Sequence, residues 1–374
     1  MTASTPSPAL SVTPLAASLG NAPLAACRGV LSVQRLDALQ REWSGLTASA
    51  AAHDLGWMRR VAVRGEDRFR WLNGMVTNTV NDLPANSGAW NLALNAQGRI
   101  LGELTVWREG SGQVSDALEL EIAADQYEKL LAHFDRFIVM DDVELQPLEE
   151  ESALGLTGPC AAQVLEKMGL PILPSALTRL RTVWNGLPLL LQRGYGLLAE
   201  HYELWIGNAS IPALWTALLA AGAMPTGSKG LEALRIAEAI PAYGIDMEER
   251  DLPQETAQMR ALHFTKGCYL GQEIVERIRS RGSVHRHLRQ IEVDGPLPAP
   301  GTELRFTNAA GVEAAAGAVT SAVELPDGRR LALAMIRAEA ELRNQPFFYA
   351  AEAATGAATV RKTPPGQATD LQSK

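Results

Sequence analysis

The stretch Lys266-Gly267-Cys268-Tyr269-Leu270-Gly271-Gln272-Glu273 brings a thiol, an ammonium group, a phenol, an amide and a carboxylate together within eight residues. Its two glycines can adopt backbone conformations that other residues resist, which favours a tight loop. A cysteine in so polar a setting is expected at a surface or in a cleft, where a nearby cation such as Lys266 stabilises its thiolate. The alternative is an inert, buried cysteine, because free cysteine is among the most buried residue types.

The residues that follow this loop are strongly basic. The pattern from Gln272 to Ile278 predicts a helix, so Cys268 is expected just before a helix start. The basic patch comprises Arg277, Arg279, Arg281, Arg286 and Arg289, with His285 and His287. Such a patch suits a carboxylate-rich ligand, a phosphate or RNA; the alternative is a solvated connection between domains. The two histidines have ligand-like spacing but lack an acidic or thiol partner in the pattern, so no metal site is expected.

Upstream of the loop, hydrophobic periodicity predicts a first α+β lobe over residues 29–150. The predicted elements are a helix from Ser32 to Leu46, a strand from Trp57 to Val63, a helix from Glu66 with Phe69, Leu72 and Val76 on one face, strands over 89–94, 100–107 and 118–123, a helix over 125–137 and a strand over 143–148. We interpret this order, strand-helix-strand-strand-helix-strand, as a split βαβ, or ferredoxin-like, unit.

A similar set of elements predicts a second α+β lobe over residues 151–284, which carries the loop at Lys266. Its strands are expected at 152–156, 179–184, 187–192 and 203–206, and its helices at 158–168, 211–221 and 231–237. Over residues 285–362 the pattern changes to short strands separated by proline and glycine. These are expected at 288–293, 303–306, 315–321, 331–336 and 347–350, and they predict a small β-barrel or sandwich.

The composition indicates a globular protein of two or three domains: 374 residues, 47% hydrophobic and 20% charged. The net charge of -8 argues against a general nucleic-acid or membrane-surface binder, and no apolar run is long enough to span a membrane. Three widely separated cysteines fit a reducing, cytoplasmic location, and Cys27 and Cys160 carry no motif that assigns them a role. Residues 1–28, rich in Ala, Pro, Ser and Leu, and residues 363–374 are expected to be disordered.

The loop at Lys266 closely resembles the K-G-C-Y-x-G-Q-E signature of the YgfZ family of folate-binding proteins, relatives of the glycine-cleavage T-protein, an aminomethyltransferase. Further segments resemble the same superfamily in the same order, so that the resemblance runs from about Leu31 to Arg361. They are Val63 to Leu72 followed by Val76-Thr77-Asn78, the hairpin from Leu94 to Ile100, Leu234-Arg235-Ile236 with Ile240-Pro241, Leu252 to Glu255, and Gly317 to Ser321.

The resemblance implies a cloverleaf fold, in which two ferredoxin-like lobes and a C-terminal β-barrel surround a channel for tetrahydrofolate or a derivative. It implies support of iron-sulfur cluster assembly or repair, and so of tRNA modification by radical iron-sulfur enzymes. Implied partners are folate and iron-sulfur proteins or their assembly factors, without membrane or direct nucleic-acid binding, and a monomer is expected.

The resemblance also assigns roles to individual residues. Cys268 would be the redox or nucleophilic thiol, and Lys266 would promote its thiolate. The loop or the ligand would be oriented by Gly267, Tyr269, Gly271, Gln272 and Glu273. Folate contacts are expected from Asn95, Glu103, Arg235 and Glu255.

Several positions depart from the T-protein pattern. A true aminomethyltransferase has an acidic pair after its glycine hairpin, with an essential first aspartate, where this chain reads Gly102-Glu103. Glu200 stands near the place of the glutamate that holds the pteridine but aligns poorly, and T-protein has no cysteine in the signature. These differences favour the YgfZ branch. The alternatives are an aminomethyltransferase or demethylase that transfers a one-carbon unit to tetrahydrofolate, and a non-catalytic folate-binding scaffold.

Overall fold

The N-terminal part of the chain forms short elements that pack onto the rest of the molecule. They are α1 (Pro14–Ser18), β1 (Leu24–Cys27), β2 (Val30–Val33), α2 (Leu39–Ala48) and β3 (Ala51–Asp54). The computed structural model describes residues 9–110, 117–351 and 354–362.

The predicted disorder of residues 1–28 is wrong for residues 9–28. Leu15 is fully buried in the core of the second lobe. Thr13 donates a hydrogen bond to the buried carboxylate of Asp54 at 2.5 Å, and its own hydroxyl caps α1. A segment of low charge and many small residues therefore becomes ordered because it contributes apolar side chains to a core that the rest of the chain builds. Residues 1–8 lie outside the described residues.

The helix predicted from Ser32 begins only at Leu39. Val30–Val33 instead pairs with Leu24–Cys27 as an antiparallel two-stranded sheet. The apolar residues at helical spacing therefore belong partly to a strand, because pairing with a neighbouring segment overrides a weak local preference.

The first lobe is a five-stranded antiparallel half-sheet covered by two helices. Its elements are β4 (Met58–Arg64), α3 (Arg68–Met75), β5 (Ser87–Leu94), β6 (Ile100–Glu109), β7 (Ala117–Ala123), α4 (Ala124–Asp135) and β8 (Glu144–Pro147). The strand order is β5-β6-β7-β4-β8. Leu72 of α3, Leu130 and Phe134 of α4, and Leu104 and Leu120 of the strands share one buried core. Three strands lie between the helices, as the predicted strands over 89–94, 100–107 and 118–123 require; the interpretation as strand-helix-strand-strand-helix-strand counted one strand too few.

The second lobe repeats this topology. Its elements are β9 (Glu151–Thr157), α5 (Ala161–Lys167), β10 (Thr178–Trp184), β11 (Leu187–Arg193), β12 (His201–Gly207), α6 (Ile211–Ala220) and β13 (Met224–Thr226). The order β10-β11-β12-β9 matches β5-β6-β7-β4 of the first lobe, and β3 is inserted between β9 and β13. The two lobes are therefore related by topology, with the N-terminal segment completing the second.

The two half-sheets meet edge to edge at β5 and β10 and form one sheet of eleven strands. Their backbone pairing is short, with the single register pair Thr178 and Ser87. It is flanked by hydrogen bonds from the Gly88 amide to the Leu177 carbonyl and from the Arg179 amide to the Asn86 carbonyl. We call this junction the seam.

Three helices and a closed barrel complete the fold of the described residues. They are α7 (Ser228–Ala237), α8 (Gln272–Arg281), β14 (Arg286–Asp294), β15 (Glu303–Thr307), β16 (Glu313–Glu324), β17 (Arg330–Arg337), α9 (Ala338–Glu341), β18 (Phe347–Ala351) and β19 (Ala354–Val360). The barrel closes in the order β14-β17-β16-β15-β18-β19. The predicted α+β class with two lobes and a C-terminal β-barrel is confirmed. Residues 363–374 lie outside the described residues, and within the described ones no helix is long and apolar enough to cross a bilayer.

Candidate functional site

The signature loop (Lys266–Glu273) is anchored to the first lobe by its buried lysine. The Lys266 ammonium donates hydrogen bonds to the carbonyl oxygens of Asn73, Val76 and Asn78, at 2.8, 2.6 and 2.6 Å. These carbonyls lie at and beyond the end of α3, where backbone acceptors lack intrahelical donors. Burial lowers the pKa of Lys266 to about 7, whereas the three acceptors favour the charged ammonium. The hydrogen bonds described for Lys266 all go to these carbonyls. None of them reaches Cys268, whose thiolate Lys266 was predicted to promote.

The rest of the loop separates a buried phenol from an exposed thiol. Tyr269 packs in a cluster with Leu92 and Tyr243, and burial raises its pKa to about 12. The Tyr269 amide donates to the Gln272 side chain at 3.2 Å, which bends the chain into α8. Cys268 is exposed, as is Glu273 in the first turn of α8. The loop thus holds the thiol at the surface on a rigid base.

Two glycines allow the loop to touch the turn between β5 and β6. Gly271 has a positive φ of 81°, and a Cβ there would lie 2.5 Å from the Asn95 carbonyl oxygen. A Cβ on Gly98 would lie 2.8 Å from the Cβ of Ile274. Asn95 shapes this turn, since its side chain accepts hydrogen bonds from two backbone amides at 3.0 Å. Asn95 therefore stabilises the turn, and it is not among the residues lining the central cavities.

The predicted basic patch is largely neutralised by carboxylates. Arg286 lies 2.7 Å from Asp251 and 3.0 Å from Glu255. Further ion pairs join Arg289 to Glu341 and Arg279 to Glu276. Arg277 is exposed, and the side chain of Arg281 lies outside the described residues. Glu255, a predicted folate contact, therefore pairs with Arg286 of the barrel strand β14 and does not line the central cavities.

Two adjoining cavities lie between the lobes, away from the signature loop. The larger has a volume of about 490 Å³ and a mostly apolar wall that includes β1, β3 and α7. The smaller, about 250 Å³, lies against β6, β7 and Trp90 of β5. The residues that line both include Arg28, Trp57, Tyr195, His201, Glu203 and Arg235. No signature-loop residue lines either cavity, so the exposed Cys268 lies outside both of them.

A pair of buried carboxyl groups forms the polar floor of the smaller cavity. The Gln192 amide donates to Glu121 at 2.6 Å and to Glu203 at 3.0 Å, and the Trp107 indole donates to Glu121 at 3.0 Å. Burial and the neighbouring Glu203 raise the pKa of Glu121 well above its ordinary value. Burial also acts to raise the pKa of Glu203, but its contacts with His201, Glu121 and Trp205 together outweigh burial, and the pKa of Glu203 lies below its ordinary value. Glu203 is therefore ionised at neutral pH, whereas Glu121 takes up a proton more readily than an ordinary glutamate.

A line of polar contacts connects Glu203 to the larger cavity. His201 Nε2 lies 3.4 Å from Glu203, and His201 Nδ1 lies 2.7 Å from the Thr157 hydroxyl. The same hydroxyl lies 2.9 Å from Nε2 of His53, whose pKa is lowered well below its ordinary value by burial. Because the Thr157 hydroxyl has a single proton, it donates to one ring and accepts from the other. The two imidazoles are thereby fixed in complementary orientations beside Glu203.

The comparisons with known proteins agree with this architecture. The family described as the GCVT N-terminal domain matches residues 31–266. This chain belongs to the GCVT family. An aminomethyltransferase of Rubrobacter xylanophilus is 30% identical over 310 residues, 81% of this chain and 80% of that protein. An aminomethyltransferase of Geobacillus kaustophilus is 25% identical over 315 residues, 82% of this chain and 84% of that protein.

A solved GCVT-family structure shows the same fold. The glycine cleavage system aminomethyltransferase T from Bartonella henselae superposes with a TM-score of 0.85, covering 96% of this chain and 99% of that chain, at 19% identity. The predicted membership of the T-protein superfamily is confirmed. The finer assignment to the YgfZ branch stays a prediction.

Glu103, at the position where this GCVT-family chain departs from the T-protein acidic pair, lines the smaller cavity. Alternation along β6 separates it from its neighbour: a Cβ on Gly102 would meet Gln126 and Leu130 of α4. The Glu103 carboxylate accepts a hydrogen bond from the Tyr243 amide at 2.9 Å and lies 3.5 Å from the guanidinium of Arg28. A carboxylate therefore faces the cavity, one residue later than the sequence pattern requires.

Arg235, the other predicted folate contact, lines both cavities and is paired with the buried Asp246. Glu200, which stands near the expected place of the pteridine-binding glutamate, is instead paired with Arg193 at 2.8 Å. The carboxylate that lines the cavities in this part of the GCVT-family fold is Glu203, three residues later.

Sequence reasoning missed the cavity floor, although a signal was present. Glu121 and Glu203 alternate with apolar residues inside strands, in the runs Leu118-Glu119-Leu120-Glu121-Ile122 and Tyr202-Glu203-Leu204. Charged residues inside an otherwise buried sheet are expected to be paired or to face a ligand. No group of three or more histidine, cysteine or acidic side chains in the described residues could hold a metal ion.

Proposed function

We propose that the protein binds tetrahydrofolate or a derivative in the central cavities, with the pterin ring at Glu203. The observation that carries this proposal is the buried pair of carboxyl groups, Glu121 and Glu203, which the Gln192 amide bridges on the floor of the smaller cavity. A pterin has an edge with adjacent N–H donors, which an ionised carboxylate accepts in bidentate geometry. Glu121 and the Gln192 amide supply further polar partners beside it. Trp57 and Tyr195 on the wall offer flat apolar surfaces to a ring.

Membership of the GCVT family supports this proposal. Relatives that this chain covers over most of their length are named aminomethyltransferases, enzymes of tetrahydrofolate-linked one-carbon transfer. The deep burial of the carboxyl pair adds a physical reason, because an ionised carboxylate without a counter-cation is costly inside a protein unless a ligand or a neighbour compensates it.

Replacing the ionised carboxylate tests the binding site. Glu203→Gln is expected to weaken tetrahydrofolate binding by about 10- to 100-fold, because an amide can accept only one of the two donors. Anaerobic titration calorimetry measures this change. Glu200→Gln is the matched control, since Glu200 lies three residues earlier and is not a cavity-lining residue. Absence of binding to the native protein, or equal affinity of both variants and the native protein, contradicts the proposal.

We further propose that folate binding serves the maintenance of iron-sulfur proteins, and that Cys268 is the reactive thiol. Two observations support this role. The signature-loop sequence resembles the YgfZ signature, and the loop presents an exposed thiol on an anchored base. An apolar cluster connects the signature loop to the smaller cavity. Tyr269 of the loop packs in this cluster, and Trp90, which lines the smaller cavity, packs against it. The partner is then an iron-sulfur protein or assembly factor that docks at the loop.

Rescue of a bacterium that lacks its own YgfZ tests the thiol. The native chain is expected to restore methylthiolated tRNA made by a radical iron-sulfur enzyme, and Cys268→Ser is expected to fail, because an alcohol does not replace a thiolate as nucleophile or reductant. Cys160→Ser is the matched control. Rescue by Cys268→Ser assigns the loop to a folate-binding scaffold. Failure of the native chain, with the protein folded, contradicts the iron-sulfur role.

A second candidate is aminomethyl transfer to tetrahydrofolate, favoured by the position of Glu103 in the smaller cavity. Its carboxylate could accept a proton from the folate amine. The test is release of ammonia and methylene-tetrahydrofolate from an aminomethyl-lipoyl carrier, with Glu103→Gln as the inactive variant. No release from the native protein, under conditions in which tetrahydrofolate binds, excludes this candidate.

A further inference from the structure

Arg260 is an arginine on the wall of the smaller cavity with an unusual setting. Its guanidinium carbon lies 3.8 Å from the ring centroid of Tyr195 and 4.5 Å from that of Trp90. Its Nε donates to the side chain of Gln258 at 3.3 Å. Cation–π contacts occupy the faces of a guanidinium, whereas its N–H donors lie in its plane. The two aromatic rings therefore fix the plane of Arg260, and its neutral hydrogen-bond partners are the side chains of Gln258 and Tyr195.

The charge of Arg260 is poorly compensated by the protein. The other two arginines of this cavity are paired with carboxylates: Arg28 lies 2.9 Å from Asp125, and Arg235 is paired with Asp246. In the described part of the chain, no carboxylate lies at ion-pair distance from Arg260. Burial lowers the pKa of Arg260, yet an arginine stays charged at neutral pH because its ordinary pKa is so high.

The nearest carboxylates have other partners. Glu103 and Glu238 act on Arg260 through space. Glu103 is engaged by the Tyr243 amide, and Glu238 accepts hydrogen bonds from the Leu197 and Leu198 amides at 2.9 and 2.8 Å. A cation held between two rings beside a cavity, without a carboxylate partner of its own, is suited to an anion that arrives with a ligand.

We propose that Arg260 anchors a carboxylate of a ligand bound in the smaller cavity. A carboxylate matches the planar, forked geometry of a guanidinium. Because the two rings already order the Arg260 side chain, ligand binding costs less side-chain entropy. With Glu203 on the same cavity wall, the site suits a molecule that has an N–H donor edge and a carboxylate. The carboxylate belongs to the glutamate tail of a folate or to a separate small carboxylate. The first source rests on the proposed folate binding; the anion site itself does not.

The test compares ligands with and without the tail on two variants. Arg260→Met keeps an apolar side chain between the rings and removes the charge. Arg279→Met is the matched control, because Arg279 also stacks on an aromatic ring, Phe264 at 4.7 Å, but lies outside both cavities. Titration calorimetry measures tetrahydrofolate, which has the tail, and 6-methyltetrahydropterin, which lacks it. Thermal unfolding with glutarate, alone and with 6-methyltetrahydropterin, reports a separate carboxylate.

Each outcome decides. Loss of about 10- to 100-fold in tetrahydrofolate affinity in Arg260→Met, with 6-methyltetrahydropterin unchanged, assigns the tail to Arg260. In a second outcome, the ratio of the affinities for tetrahydrofolate and 6-methyltetrahydropterin is the same in Arg260→Met as in the native protein, and glutarate stabilises the native protein but not Arg260→Met. This result assigns a separate carboxylate to Arg260. If the native protein binds neither pterin nor folate, but glutarate stabilises it and does not stabilise Arg260→Met, the proposed function is contradicted and the anion site is supported. Equal behaviour of Arg260→Met, Arg279→Met and the native protein in all assays overturns the inference.

Discussion

Lys266 and Cys268 are two residues apart in the signature loop and have opposite surroundings. Lys266 is 9% exposed and bound by three carbonyl oxygens, whereas Cys268 is open to solvent. A lysine so bound fixes the start of the loop against α3, and the thiol is displayed by the backbone that follows. The two residues therefore contribute to the site in different ways, one by holding the loop and the other by its chemistry.

Removing the Lys266 ammonium is expected to destabilise the protein. Lys266→Met leaves three buried or half-buried carbonyls without their donor, which should lower the free energy of unfolding by about 2–3 kcal/mol. Urea denaturation measures this change. Lys229→Met is the matched control, because Lys229 is exposed and its replacement should cost less than about 0.5 kcal/mol. Equal unfolding midpoints for the two variants would show that the carbonyl contacts contribute little.

At the scale of elements, the signature loop and the β5–β6 turn form a single interlocked unit. The positive φ of Gly271 and its close approach to the Asn95 carbonyl leave no room for a side chain. The turn is itself held by Asn95, so the sequence motifs at 95–98 and 266–273 depend on each other in three dimensions.

A methyl group at this contact should separate the two turns. Gly271→Ala is expected to lower the free energy of unfolding by about 2–4 kcal/mol, from backbone strain and steric overlap together. Gly244→Ala separates the two causes, because Gly244 has nearly the same φ, 82°, with nothing within 4 Å of the added Cβ. It should cost about 1 kcal/mol from strain alone. Denaturant unfolding of both variants gives the difference, and equal losses would refute steric interlocking.

The elements differ in how far the sequence predicts them. The hairpin of β5 and β6 was predictable, because Ala89 to Leu94, the turn at Asn95 and the strand from Ile100 are all local signals. The strand at Val30–Val33 was not, because its partner Leu24–Cys27 lies in a segment without strand-like character of its own. For the site, the octapeptide predicted an exposed thiol, but the cavity floor combines residues of β7, β11 and β12, which only the folded sheet brings together.

For the whole molecule, a network of buried charges joins the two half-sheets. Glu119 of β7 lies 2.5 Å from Arg60 of β4 and 2.7 Å from Arg179 of β10. Arg60 also pairs with Glu151, and Arg179 with Glu109. Burial acts to raise the pKa of Glu119, but the two arginines outweigh it and hold that pKa at about 2. Burial lowers the pKa of Arg179, but its guanidinium remains charged because its ordinary pKa lies far above neutrality.

This network should make the stability of the protein depend on pH. The folded protein keeps Glu119 ionised to a lower pH than the unfolded chain, whose carboxyl titrates near 4.5. The contribution, about 3 kcal/mol, is therefore fully present above pH 4.5 and lost as the pH falls toward 2. Urea unfolding at pH 7, 5 and 3.5 measures it. Glu119→Gln should lower stability at pH 7 by about 3 kcal/mol and flatten the acid dependence.

The control for this prediction is an exposed ion pair. Glu292→Gln removes the pairing with Arg361, in which the Glu292 side chain is half exposed, and it should leave both the stability at pH 7 and the acid dependence nearly unchanged. An acid dependence as steep in Glu119→Gln as in the native protein would show that other carboxyl groups dominate acid unfolding.

The half-sheets share one topology, and their backbones are joined by a single register pair. This is the architecture expected of a duplicated unit whose two copies became joined along one sheet edge. Each half keeps its own core, so mutation of residues that line the space between the halves, outside the charge network, can change the width and polarity of that space while both cores stay intact. Descendants of such a protein could exchange one ligand for another through a few substitutions in the space between the halves, while the sequence of each half changes only under selection for folding.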